Sequence, residues 1–459
     1  MYIMYPCWAT LDSLDPKGYM DGFMKGRIKI FTYGCQMNDL DSLKMYSELS
    51  TMGFTPTQET AEADIIILNT CSVRQKAYEK AISNLGRLKS HKSRKHSLII
   101  AVTGCVAQQE GERIRERMPH VDIILGTHQL HRLPDLIEHV HNASYPMTET
   151  EFSESIPSMD IVPDPGLSDH PHRSYINIMQ GCDNYCSYCI VPYVRGHEIS
   201  RDYKKVLDEI GLHASRGVKE VFLLGQNVNS YNGGIAFPGL LRGIHGIDGI
   251  ERIRFTTSHP KDVSDGLIAC FKDLDKLCSH IHLPFQSGSD SVLKAMNRHY
   301  THHSYLDLIE QLRSARPDIS FSADVMVGFP DESEQDYLDT LAIIKAVRFD
   351  VLYSFKYSVR PGTAAAQLYD NVSSEEKIER LKQLQALQKR ITFENNQDRI
   401  GKMYEVLVDG ISPKNPLQVH GRTSHNTIVN FLGDQGLIGK TLRVRITRAN
   451  QNSLTGEMA

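Results

Sequence analysis

The stretch Gly181-Cys182-Asp183-Asn184-Tyr185-Cys186-Ser187-Tyr188-Cys189 sets the first constraint on this chain. Its thiols are separated by three and then two residues, directly after an apolar, β-favouring run over 175–179. A tight loop at the end of a strand can aim three thiolates at one point. Three thiolates ligate three irons of a cubane cluster and leave the fourth open, whereas structural clusters and structural zinc sites take four protein ligands. A zinc site completed by His197, or three unrelated thiols, stays open as an alternative, because such a loop suits several metals.

Around this loop the chain alternates. Strands are predicted over 175–179, 221–224, 252–256, 280–283, 322–327 and 351–355, with helices over 204–215, 305–315 and 333–347 between them. Six strand units imply a partial (β/α)6 barrel, whose chemistry belongs at the carboxyl ends of the strands. A long polar helix over 374–399 closes it. Upstream, strands over 27–33, 64–68, 97–103 and 122–125 alternate with helices over 39–52 and 73–90, the pattern of a parallel sheet covered on both faces. From 141 to 172 the pattern lapses into prolines and acidic residues, which reads as linker. Beyond the long helix, short β-branched runs over 403–409, 427–431 and 442–447 with glycine turns predict a small all-β barrel. The fold class is therefore α/β. Its expected divisions are an extension (1–26), an amino-terminal parallel α/β domain (27–140), a linker (141–172), the barrel core (173–400) and a terminal β domain (401–459).

Bulk properties narrow the function classes. The chain has 459 residues, 41% of them hydrophobic and 23% charged, enough to bury full cores. A formal net charge of -4 argues against a uniformly basic, non-specific nucleic-acid binder but leaves room for a local basic surface. No run approaches the roughly 18 apolar residues of a membrane helix. Residues 1–26 lack the charged and apolar regions of a signal peptide, so they read as a short extension, or as lying upstream of a start at Met20 or Met24. A cytoplasmic protein is expected. The nine cysteines are odd in number and sparse, against a disulfide framework.

A second trio stands out among those cysteines. Cys35, Cys71 and Cys105 each follow a predicted strand, in Tyr33-Gly34-Cys35, Asn69-Thr70-Cys71 and Thr103-Gly104-Cys105. Loops beyond the carboxyl ends of a parallel sheet line one crevice, so these thiols can converge, with Gly34 and Gly104 letting the backbone approach a bulky group. The alternative is three buried structural thiols. Cys270 and Cys278 read as structural, and Cys7 belongs to the extension.

The three-cysteine loop matches the radical S-adenosylmethionine signature. Together with Thr32-Tyr33-Gly34-Cys35-Gln36-Met37-Asn38, Asn69-Thr70-Cys71-Ser72-Val73-Arg74 and Thr103-Gly104-Cys105, it makes the chain resemble the methylthiotransferases. The resemblance covers nearly everything from Arg27 onward. Leu223-Leu224-Gly225-Gln226-Asn227-Val228-Asn229-Ser230-Tyr231, Arg254-Phe255-Thr256-Thr257-Ser258-His259-Pro260 and Tyr357-Ser358-Val359-Arg360-Pro361-Gly362-Thr363 resemble the MiaB-type branch, which acts on N6-dimethylallyladenosine in tRNA. Other branches act on threonylcarbamoyl-adenosine in tRNA or on a ribosomal-protein aspartate. Asp331-Glu332-Ser333 departs from the family's more usual Gly-Glu-Thr at a helix start, where Asp and Ser suit capping. Residues 403–454 resemble the TRAM domain.

That resemblance implies two 4Fe-4S clusters, one held by Cys182, Cys186 and Cys189 and one by Cys35, Cys71 and Cys105. It implies S-adenosyl-L-methionine bound near Tyr188, Gly225, Gln226, Asn227, Ser258 and Gln286, with Tyr188 packed on adenine. The first cluster would generate a 5′-deoxyadenosyl radical that takes hydrogen from C2 of the base. The second would supply sulfur, and a second S-adenosylmethionine the methyl group. Arg422, Lys440, Arg443 and Arg445 of the terminal barrel are expected to grip tRNA phosphates. Implied partners are an electron donor such as a flavodoxin or ferredoxin and iron–sulfur assembly proteins, with no membrane; a monomer is expected.

Overall fold

Ile65-Ile66-Ile67-Leu68 and Ile99-Ile100-Ala101-Val102 are apolar at every position, which suits strands buried on both faces rather than amphipathic ones. The computed structural model, which describes residues 26–72, 75–143 and 145–459, makes them the centre of a parallel sheet. The chain divides into two units, with the division between Pro171 and His172. Cys7, Met20, Met24, Val73 and Arg74 lie outside the described residues.

The first unit contains β1 (Gly26–Thr32), β2 (Phe54–Pro56), β3 (Ile65–Thr70), β4 (Ile99–Gly104), β5 (Ile123–Leu125) and β6 (Met147–Glu149), in the order β2-β1-β3-β4-β5-β6. All neighbours pair in parallel. Ile65 and Ile67 pack toward Leu136 and Ile137, and Ile66 and Leu68 toward Leu85 and Leu88 on the opposite face.

The stretch expected to be linker is largely part of this unit. Met147 pairs with Ile123 in the sheet, Ile156 and Met159 are buried, and the buried Lys44 ammonium donates to the carbonyls of Ser158 (2.7 Å) and Met159 (3.1 Å). A three-residue edge strand shows no readable periodicity, so composition alone misassigned it.

The second unit opens with β7 (Arg173–Asn177), the short antiparallel pair β8 (Met179–Gln180) and β9 (Ile199–Ser200), then β10 (Glu220–Leu224) and β11 (Arg252–Phe255). It continues with β12 (His280–His282), β13 (Ser320–Val327) and β14 (Val351–Lys356). The parallel arcs β7-β10-β11 and β12-β13-β14 join through a bridge between Ile253 and Leu277, giving the six-stranded partial barrel. Leu384 and Ile391 of the helix Ser374–Gln397 pack into the barrel's apolar core.

The terminal domain is a closed barrel of β15 (Met403–Ile411), β16 (Gln418–Thr423), β17 (Ile428–Leu432), β18 (Thr441–Ala449) and β19 (Leu454–Met458), two strands more than the sequence showed. It docks under the amino-terminal strand ends. Arg252 donates to the carbonyls of Arg422 (2.6 Å) and Glu405 (3.0 Å), and Arg254 to those of Thr423 (2.6 Å) and Ser424 (3.0 Å). Among the described residues no helix is long and apolar enough to cross a membrane.

Candidate active site: two sets of strand-end thiols

In the first unit β1, β3 and β4 are adjacent, with Thr32 beside Asn69, Asn69 beside Thr103 and Thr70 beside Gly104. Cys35, Cys71 and Cys105 therefore leave the same sheet edge from three neighbouring strands. Cys35 caps the helix Gln36–Thr51, and Cys105 opens the helix Cys105–Glu110. Gly104 has φ +87, and a side chain there would collide with the Thr70 carbonyl. A side chain at Gly34 would strike Asn38 and the Cys71 β-carbon. Gly104 is thus required by close backbone approach, and Gly34 by the side chains of Asn38 and Cys71 packed on it.

Beneath these thiols lies a polar network that the sequence did not reveal. The Asn38 amide donates to Asn69 Oδ1 (2.8 Å), and Asn69 returns bonds to the Asn38 carbonyl (2.8 Å) and Ser42 Oγ (3.0 Å). Asn38 and Asn69 are fully buried, and such satisfied networks fix one geometry. The only available signal was an asparagine ending an apolar strand, in Ile65–Thr70.

In the second unit the loop 181–189 is held from all sides. Gly181 has φ +86, and a side chain there would overlap the His197 carbonyl. The Cys182 N–H donates to Gly196 O (3.1 Å), Ser187 N–H to Met296 O (3.0 Å) and Ala365 N–H to Ser187 O (2.7 Å). Asn297 Nδ2 donates to Tyr185 O (3.0 Å), where the backbone sits at φ +45.

The thiols sense one another. Burial pushes Cys182 up to about 11, with the nearby Glu198 and Cys186 charges adding to it. Burial and then Cys186 push Cys189 up to about 12, with Cys182 adding further. Two donors also reach sulfur: Asn184 Nδ2 to Cys182 (3.4 Å) and Arg298 Nη1 to Cys186 (3.5 Å). His197 is engaged elsewhere, at 2.7 Å from Asp183 through Nδ1 and largely exposed, so it does not complete a zinc site in this arrangement. Three thiols of one loop near enough to raise one another's pKa, with N–H donors on two of the sulfurs, fit an iron–sulfur cluster with one open iron.

The residues expected around S-adenosylmethionine gather at neighbouring strand ends, but not all face outward for a ligand. Gln226 Oε1 accepts from the Gly181 N–H (2.7 Å), so it braces the cysteine loop. Asn227 Nδ2 donates to Asp262 (2.8 Å) and Glu198 (3.3 Å). Asn227 Oδ1, Ser258 Oγ and Asn177 Oδ1 are buried without a hydrogen-bond partner among the described residues. Asn227 follows β10, Ser258 follows β11 and Asn177 ends β7, which are adjacent strands, so buried polar atoms without partners gather at the carboxyl ends of one arc. Asn177 was missed by sequence reading. Thr257 at φ +68 and Gln286 at φ +64 add strained backbone at the same barrel end. Gly225 sits against the Met179 side chain. Tyr188 packs against the apolar cluster that contains Phe329 and Tyr357, and burial holds its hydroxyl well above the usual range.

The terminal barrel corrects one expectation. Arg422 does not join an exposed basic row: its guanidinium lies 3.7 Å from the buried Asp409 and 3.3 Å from Asn426 Oδ1. Arg173 and His172 share that carboxylate. Arg443 and Arg445 do project outward from β18, and Lys440 is exposed just before it. Glu405 stands opposite Arg443, and Glu457 opposite Arg445.

Known proteins extend these observations. Residues 27–126 match an "Uncharacterized protein family UPF0004", residues 176–344 the radical SAM superfamily, and residues 397–459 the TRAM domain. A tRNA-2-methylthio-N(6)-dimethylallyladenosine synthase of Geobacter sulfurreducens is 50% identical over 431 residues, 93% of this chain and 96% of that protein. A synthase of the same name from Syntrophus aciditrophicus is 50% identical over 95% of each chain, and one from Neisseria meningitidis is 46% identical over 94% of this chain and 99% of its own. The chain belongs to this synthase family. These synthases align with nearly the whole of this chain, from the first unit through the terminal barrel. Among solved structures, the radical S-adenosylmethionine methyltransferase TsrM of Kitasatospora setae superposes with a TM-score of 0.53 at 14% identity, over 75% of this chain and 77% of its own. OxsB, a cobalamin-dependent S-adenosylmethionine radical enzyme, gives a TM-score of 0.53 at 14% identity over 80% of this chain and 56% of its own. Both show a shared fold.

Proposed function

We propose that this chain installs a methylthio group at C2 of N6-(dimethylallyl)adenosine in tRNA, at position 37 beside the anticodon, using two molecules of S-adenosylmethionine. The observation that carries the reading is the pair of thiol trios at parallel-strand ends, within a chain that aligns with synthases of that name over 93% of its length. C2 of adenine is too inert for a side-chain acid or base, so radical chemistry is required. Iron–sulfur centres held by Cys182, Cys186 and Cys189 and by Cys35, Cys71 and Cys105 would supply the low-potential electron and the sulfur.

The chain's own residues orient and shield. Gln226 and Gly181 fix the backbone at the start of the loop that carries the three thiols. Asn177, Asn227 and Ser258 offer unpaired polar atoms to the methionyl amine and carboxylate. Tyr188, with Phe329 and Tyr357, supplies an apolar wall toward adenine and keeps water from a reactive carbon radical. Gln286 would contribute through a backbone already held in its strained form by Asp324 and Met326. Arg443, Arg445 and Lys440 hold tRNA phosphates while the target base, lying in a loop, is splayed from its stack. A cytoplasmic enzyme working as a monomer with a flavodoxin or ferredoxin and iron–sulfur assembly proteins completes the reading.

Nucleoside mass spectrometry of tRNA tests it. A strain lacking the gene should accumulate N6-dimethylallyladenosine. Wild-type chain should restore the 2-methylthio nucleoside, whereas Cys35→Ala or Cys186→Ala should not. Unchanged 2-methylthio content in the deletion strain would sink the proposal. Accumulation of threonylcarbamoyl-adenosine instead would reassign the substrate.

A further inference from the structure

Arg298 is a permanent cation that no carboxylate pairs with among the described residues. The residue is 8% exposed, and its hydrogen bonds go to a neutral hydroxyl, a carbonyl and a sulfur. Nε donates to the Tyr300 hydroxyl (3.1 Å), Nη2 to the Pro284 carbonyl (2.9 Å), and Nη1 to Cys186 Sγ (3.5 Å). The guanidinium also lies 5.1 Å from the Tyr300 ring centre, and Tyr300 is fixed by its bond to the Phe285 carbonyl (2.9 Å). Burying an uncompensated cation costs several kcal/mol, so such a site is stable only when negative charge comes to it. The group it addresses is the sulfur of Cys186.

We infer that Arg298 is a positioning residue that sets the reduction potential of the centre at Cys182, Cys186 and Cys189. The inference rests on the proposed role of that loop. Reduction adds one electron, taken from an external low-potential reductant, and breaks or forms no bond in the chain. A fixed cation with an N–H aimed at a ligand sulfur favours the more negative, reduced state, and such contacts are among the factors that set cluster potentials. Asn184 makes the corresponding neutral contact to Cys182, so the two donors act on different ligands.

The test is potentiometry monitored by electron paramagnetic resonance. It uses full-length chain with Cys35, Cys71 and Cys105 changed to Ala, reconstituted anaerobically so that one centre remains. Arg298→Gln should disfavour reduction at least tenfold, a fall of 59 mV for one electron. Arg298→Lys keeps the charge but cannot reproduce the planar fork to sulfur and carbonyl, so it should disfavour reduction about threefold. Iron and sulfide are measured on the same samples. Loaded variants with wild-type potentials would overturn the inference. Should the Gln variant fail to load, an unshifted Lys variant overturns it equally. A parent protein that binds no iron would refute the loop's role instead, and the inference falls with it.

Discussion

His259 shows how much one side chain can carry. It follows β11, exchanges backbone–side-chain bonds with Asn229 at 2.9 Å each way, and its Nδ1 accepts the Lys261 N–H (3.2 Å). Burial, and then the charges of Arg298, Lys261 and His299, push its pKa down to about 2. Above pH 6.5 the ring is neutral in both folded and unfolded chain, and its contribution to stability is complete. Below pH 6.5 the unfolded chain takes up a proton that the folded chain refuses, so stability is lost progressively down toward pH 2. Between pH 7 and pH 5 the loss should reach about 2 kcal/mol. Asparagine can still accept the capping bond, so His259→Asn should be less acid-sensitive by about that amount. Urea unfolding at the two pH values, without oxygen, measures it. Equal acid sensitivity would refute the buried neutral ring.

At the scale of elements, β10 and β11 do more than build the barrel wall. Glu220 on β10 and Arg254 on β11 are almost fully buried and paired at 2.7 Å, and Arg254 also clamps the turn after β16 through Thr423 and Ser424. Removing one member of such a pair leaves the other charge stranded. Arg254→Met should therefore cost about 3–5 kcal/mol and release the turn, whereas adding Glu220→Leu should recover much of it. Thermal unfolding of the two single variants and the double variant decides this. Additive losses would show that the pair is not coupled. A smaller local device is Asp331, which takes φ +65, a departure from the backbone that side chains ordinarily adopt. Its N–H is held by Asn371 Oδ1 (2.9 Å), and Ser333 caps the helix Glu334–Val347, so the departure is accommodated locally.

For the molecule as a whole, the proposed function places radical initiation and RNA grip on separate surfaces. Arg443→Ala combined with Arg445→Ala should weaken binding of an anticodon stem-loop and reduce the salt slope of binding by about 1–2. The same variant should form 5′-deoxyadenosine from S-adenosylmethionine, without RNA, at the wild-type rate. Fluorescence anisotropy at several salt concentrations, with chromatography of the nucleoside product, checks both. An unchanged salt slope would move the RNA contact elsewhere, because Glu405 and Glu457 already oppose these arginines across the sheet.

Spacing along the sequence determined the chemistry of this protein. Cys182, Cys186 and Cys189 are local to one loop, and their pattern survives any packing. Glycines at 34 and 104 and the all-apolar runs of β3 and β4 were equally legible, because steric demands and double-sided burial leave marks at single positions. The edge strand β6 was not, being three residues in a proline-rich stretch whose partner lies 24 positions earlier, at Ile123 for Met147. Only the tertiary structure turned Arg422 inward to Asp409, gave Gln226 to the Gly181 N–H, and brought Arg298 to the Cys186 sulfur from 112 residues away. Those outcomes depend on which strand ends meet. A side chain's charge and shape are written at its own position, but the partner that decides its role is supplied by the fold.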